Sequence, residues 1–183
     1  MEITFRGLVT MVHGMLFGGF FLMAVFGVVV VLWRSEWVTE PGYRWETGYL
    51  VVMVVLGWAA VLSGAYVVYP WYRAALPAGV VDLTAYPRLL LLSKPSTAGW
   101  HSLGMEWKEH VAWMAPIAMT AVAYVMVKYR GIVEEHRALR RQVLVFAAVA
   151  LVAAGVAGGF GALIDKAAPV EGGRVIHLMG GAQ

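Results

Sequence analysis

The sequence predicts an all-α, polytopic membrane protein: one domain over residues 1–183, folded as a four-transmembrane-helix bundle. Three observations predict it. The chain is 61% apolar and only 14% charged, too hydrophobic for an ordinary soluble domain. Apolar runs of the roughly 20 residues that a bilayer crossing needs occur four times. The runs show no strand-like alternation, and helices satisfy their own backbone in lipid.

The four helices are expected at about 7–33, 47–70, 106–127 and 142–164. The first begins near Gly7, has no basic stretch before it beyond Arg6, and is too long for a signal core, so it reads as a retained helix. The second runs from Thr47 to Pro70. The third opens with the most polar stretch near any helix, Trp100-His101-Ser102-Leu103-Gly104-Met105-Glu106-Trp107-Lys108-Glu109-His110. Pro116 inside it should free the carbonyl of Ala112 and kink the helix. The fourth carries Ala150, Ala154 and Gly158 at fourfold spacing, a pattern that lets backbones approach. Gly14 and Gly18 do the same on the first helix, and Gly57, Ala60 and Gly64 on the second.

Two links are short, 34–46 and 128–141, and the second is dense in Lys128, Arg130, Arg137, Arg140 and Arg141. Basic residues concentrated in short loops favour the cytoplasmic face. Both termini are therefore expected outside, in a bacterial inner membrane, with a long outer loop at 71–105 and an outer tail at 165–183. The loop holds Pro77, Pro87 and Pro95. Its apolar run Leu89–Leu92 is too short to span and is expected to lie on the surface or dock on a partner.

Composition excludes several chemistries. The chain has no cysteine, so disulfides, thiolate metal sites, iron–sulfur clusters and thioether-linked haem are out. A formal charge of +3 spread over loops gives nucleic-acid binding no support.

The first and third helices run in the same direction. His13 lies about two turns inside the first and His110 about one turn inside the third, so at roughly 1.5 Å per residue their depths agree within several ångströms. Two imidazoles at matching depth on different helices are what a b-type haem with two histidine ligands needs, and glycines beside a ligand, here Gly14 and Gly18, give the porphyrin room. Arg73 and Lys108 are candidates for pairing with propionates. The second and fourth helices contain no histidine, so at most one such haem is expected. The same residues admit other chemistry. Glu106 and His110 share a helix face, and His13 would complete a carboxylate–imidazole site for a transition metal. One histidine suffices for the magnesium of a chlorophyll. The tryptophans and tyrosines near this level, Trp107 among them, are most simply an interface belt. Asp165 and Lys166 read as an ordinary pair at a helix end.

With His13, His110 and their neighbouring glycines, the chain resembles four-helix membrane cytochrome b subunits, which carry electrons between quinones and peripheral redox partners. The stretches Gly64-Ala65-Tyr66-Val67-Val68-Tyr69-Pro70-Trp71-Tyr72-Arg73 and Gly104–His110 also resemble those of uncharacterised four-span bacterial membrane proteins. The first resemblance implies a redox subunit holding one haem b near the outer face, within a larger respiratory or photosynthetic complex, its partners being other membrane or periplasmic subunits and a quinone. A cofactor-free accessory subunit of such a complex, and a His/Glu metal-site protein, are the alternatives that the residues leave open. An electron-transfer or accessory role fits better than a stand-alone enzyme.

Overall fold

A computed structural model describes residues 2–34 and 43–177; the middle of the first short link and the last six residues of the expected tail lie outside them. In chain order the elements are strand β1 (Glu2–Thr4), helix α1 (Phe5–Arg34), helix α2 (Arg44–Tyr72), the short helix α3 (Pro87–Leu92), helix α4 (Pro95–Lys128), the short helix α5 (Arg130–Glu135), helix α6 (Arg137–Ala167) and strand β2 (Val175–His177). The helices α1, α2, α4 and α6 are each long and apolar enough to cross a membrane. Of these α4 has the lowest mean hydropathy, 1.6, because it carries the polar stretch.

The bundle is a square. Helix α1 packs on α2 and α6, and α4 packs on the same two, so α1 and α4 stand on a diagonal. The core repeats at helical spacing: Phe21, Val25, Val28 and Leu32 from α1, Met119, Val122 and Met126 from α4, and Val143, Ala147 and Ala150 from α6. Leu50 and Met53 close it from α2. Small residues set the helix separations where large ones meet them. A Cβ on Gly57 would lie 2.7 Å from the Phe21 ring, and one on Gly104 would lie 2.9 Å from Phe160.

Two helices begin earlier than hydropathy indicates. Helix α4 starts at Pro95, where the proline ring supplies a helical φ and loses no hydrogen bond in the first turn. Helix α6 starts at Arg137, its basic first turns projecting beyond the apolar part. The expected loop at 71–105 is therefore shorter, and α3 lies within it. Its Leu91 is buried against Tyr72, Met105, Ile164, Ala168 and Val170, so the apolar run docks on its own bundle. Pro116 leaves no orphan at Ala112, whose carbonyl accepts from the Ala115 N–H at 3.2 Å.

At the N-terminal end, β1 and β2 pair antiparallel, Thr4 opposite Val175 and Glu2 opposite His177. Gly172 and Gly173 turn the chain into β2 with φ of +118° and +80°, values that side chains strongly disfavour. The Gly172 carbonyl then accepts from the Arg6 N–H, and the Arg6 guanidinium lies 5.5 Å over the Trp71 ring. At the opposite end Arg130 reaches Glu46 and Glu134, each at 2.7 Å, and ties the start of α2 to α5.

Candidate functional site

Four π-helical stretches interrupt the long helices: Val12–Gly19 on α1, Gly64–Val68 on α2, and Trp100–Gly104 and Trp107–Val111 on α4. All lie in the half of the bundle nearest the N-terminus. A π turn is intrinsically poor and usually appears singly, at functional sites. Glycines 14, 18, 19, 64 and 104 fall within these stretches, where helix propensity is low. They frame His13.

The His13 ring is held from α2. Its Nδ1 lies 3.0 Å from Ser63 Oγ. The Ser63 hydroxyl donates to the Ala60 carbonyl at 3.2 Å, so toward His13 it acts as acceptor. A hydroxyl committed to Ala60 accepts from the tautomer protonated on Nδ1, the one that leaves the lone pair on Nε2. Ligating histidines are oriented this way, with the second nitrogen donating to a neighbour. The ring lies on Gly64, where a Cβ would come within 2.7 Å of Cε1 and 3.3 Å of Nε2. Beside His13 on α1, a Cβ on Gly14 would meet nothing within 4 Å, and one on Gly18 would meet only the His13 carbonyl, at 3.5 Å.

The residue of α4 that turns toward this ring is Lys108. Its ammonium reaches across to α6, 3.3 Å from where a Cβ on Gly161 would be. Its charged neighbour is Asp165, and the His13 ring lies within reach of its field. Among the described residues no hydrogen bond or ion pair reaches Lys108 Nζ, and the side chain is half-buried. A half-buried cation in an apolar bundle ordinarily has a partner or a function. Asp165, expected to pair with Lys166, also lies close enough to act on Lys108 of another helix.

His110 takes the other side of α4. Its side chain is 70% exposed and pairs with its own helix, 3.1 Å to the Glu106 carbonyl and 3.3 Å to the Glu106 carboxylate. The structure therefore groups His13 with Ser63, Gly64 and Lys108, and sets His110 with Glu106 apart. No cluster of three His, Asp or Glu side chains that would hold a metal ion forms among the described residues, the expected trio His13, Glu106 and His110 included.

Arg73 belongs to a second group at the end of α2. Its Nη1 donates to Tyr69 Oη at 2.6 Å, which pushes the guanidinium pKa up, and Glu109 lies beside both. Tyr72 Oη and His101 Nδ1 are 2.6 Å apart, under the docked α3, whose Arg88 has a buried Nε without a partner. Trp107 is not a simple belt residue, for its Nε1 donates to the Ala153 carbonyl of α6 at 2.9 Å. His136 bonds its own helix at Ile132, and His177 pairs with Glu2 across the two strands.

Ser63, Gly64, Gly161 and Asp165 complete the site and were not singled out as site residues by sequence reasoning. The signal for the first two was present, a serine beside a glycine inside an otherwise apolar run. The site brings together an imidazole, a half-buried ammonium and, at Gly14 and Gly18, a helix face with few side-chain neighbours. Comparison of the chain with family models, with curated proteins and with solved structures gave no match.

Proposed function

We propose that the chain is a membrane-embedded electron-transfer subunit that binds one b-type haem through His13. The observation that carries this reading is the pairing of His13, held by Ser63, with a half-buried Lys108 beside it that no hydrogen bond or salt bridge engages among the described residues. An imidazole alone suits many ligands. An imidazole with a half-buried cation suits a metal-centred ring that carries carboxylates.

The membrane setting rests on the four apolar helices and on large apolar side chains left open around them, including Met15, Met23, Phe26, Val51, Ile117 and Val152. The dense arginines at 137–141 favour placing that end in the cytoplasm of a bacterium, with the haem near the outer face. When bound, the haem supplies reversible one-electron chemistry. The protein's own part is to bind and orient. Ser63 fixes the His13 tautomer, Gly64 lets the ring lie against α2, and Lys108 with Asp165 meets propionate charge. Electrons are exchanged with other subunits of a respiratory or photosynthetic complex, or with a quinone in the bilayer. His110 faces away from His13 and is assigned no iron bond.

An absorption spectrum of protein purified from haem-replete cells, oxidised and then reduced with dithionite, tests this. A reduced α-band is expected. It is lost in His13→Ala and kept in His110→Ala. If His13 were the one protein ligand to the haem iron, the reduced protein should give a carbon monoxide difference spectrum. Loss of the band in both variants, with no reaction with carbon monoxide, would restore the two-histidine ligand set. Absence of any band would leave the accessory-subunit reading in its place.

A further inference from the structure

The other end of the bundle carries a feature that this function does not use. A cavity of about 520 Å³ opens between the end of α1 and the start of α6, lined by Leu32, Trp33, Arg137, Arg140, Arg141 and Leu144. Three of these side chains are guanidiniums. Arg140 donates to the Glu134 carbonyl at 3.3 Å. Among the described residues, Arg137 and Arg141 engage no carboxylate and no other acceptor. Among the described residues, therefore, the positive charge gathered around this cavity meets no carboxylate. Arg130, by contrast, only a few residues away, is matched by two carboxylates.

The remaining lining is apolar, and apolar side chains continue toward the middle of the bundle. Val145 and Val149 follow Arg141 at fourfold spacing, one below another on the same face of α6, and both are exposed. Phe26 lies seven residues before Trp33 on α1, and both of those are exposed too. The cavity therefore has arginines at the helix ends, apolar walls at Leu32, Trp33 and Leu144, and beyond it exposed apolar side chains along α1 and α6. An anion that was wholly soluble would use only the arginines. A molecule with a phosphate at one end and hydrocarbon at the other uses both.

We infer that this cavity is a binding site for the phosphate headgroup of an anionic glycerophospholipid, whose acyl chains lie along Val145 and Val149. Arginines pair with phosphate through two parallel hydrogen bonds, and basic pockets between membrane helices hold such headgroups. The occupant is taken from the leaflet at the arginine end of the bundle, the end opposite His13.

Native mass spectrometry of the detergent-purified full chain, titrated with phosphatidylglycerol or with phosphatidylcholine, tests the site. Phosphatidylglycerol should remain bound at collision energies that strip phosphatidylcholine. The double substitution Arg137→Gln/Arg141→Gln should weaken phosphatidylglycerol retention by about thirtyfold, at roughly a factor of five per arginine near a membrane surface. Both arginines lack described partners, so the variant should fold, and unchanged circular dichroism will check that. Lys166→Gln, at the other end of the bundle, should change nothing. Equal retention of the two lipids overturns the inference, as does full retention by the double variant. Competition by inorganic phosphate at millimolar concentration, with no lipid preference, identifies a soluble-anion site and overturns it as well.

Discussion

The two halves of the bundle are built on different rules. In the half toward the short links, the helices are regular. Their inward faces are Leu, Val, Met and Ala at helical spacing, and a strong polar contact, Arg130 with Glu46 and Glu134, sits at the rim. In the half toward the N-terminus, three of the four long helices slip into π turns, and the interior holds a histidine, a serine and a lysine. Regular packing is what the chain does where the interior between the helices has only apolar side chains to bury. The irregular half gives up good hydrogen-bond geometry and admits polar groups, which a bundle selected for stability alone has no reason to do.

Substitutions in each half should therefore fail differently. The largest loss of stability is expected at the regular end. Arg130→Gln would leave Glu46, only 13% exposed, without its main partner. It should cost about 3 kcal/mol, read as a fall in the thermal midpoint, with the cofactor spectrum of surviving protein unchanged. A pair of glycines sharpens the contrast. Gly57→Ala and Gly64→Ala each place a methyl 2.7 Å from a ring, that of Phe21 and that of His13 respectively. Both should destabilise by about 1–3 kcal/mol. Only Gly64→Ala should displace His13 and bleach the reduced band, and equal spectral effects would dissolve the distinction between the halves.

Ser63→Ala is milder. It removes the acceptor that fixes the His13 tautomer, so cofactor retention should weaken by about ten- to a hundredfold, for a stability change of only about 1 kcal/mol. The smallest effect lies outside the bundle. Asp82 accepts from the Thr84 N–H at 3.0 Å and from its hydroxyl at 2.8 Å, which holds its carboxyl below the usual carboxylate range. A depressed folded value contributes stability that is present at neutral pH and lost as pH falls through it. Exchange of the Thr84 amide, corrected for intrinsic rates, should accelerate on acidification, and Asp82→Asn should remove that dependence.

The four helices were legible because a bilayer demands long apolar runs, and nothing else in a sequence resembles them. Their ends were less so. Hydropathy registers where apolar residues stop, whereas α6 continues through Arg137–Arg141 and α4 starts at Pro95 for reasons of local geometry. His13 and Lys108 were legible as candidates because ionisable groups stand out in such a background. Which residues face each other was not. Reading faces from spacing assumes about 3.6 residues per turn, and a π turn takes up one residue more. Helix α4 has two such stretches around His110, so its faces slip relative to that count. The histidine expected to look across at His13 looks away, and Lys108 takes the place. The partner Ser63 carried no chemistry of its own until the fold set it against an imidazole.

The small sheet joining Glu2–Thr4 to Val175–His177 has a consequence for the order in which the molecule closes. It pairs residue 4 with residue 175, among the longest chain separations in the structure. During synthesis Glu46 and Arg130 can meet while α6 is still unmade, but the strand pair must wait until nearly the whole chain has emerged. The arginine-rich end is thus fastened first and the end holding His13 last. Until β2 arrives, that end lacks its clasp, and whatever the site is built to hold has its widest way in.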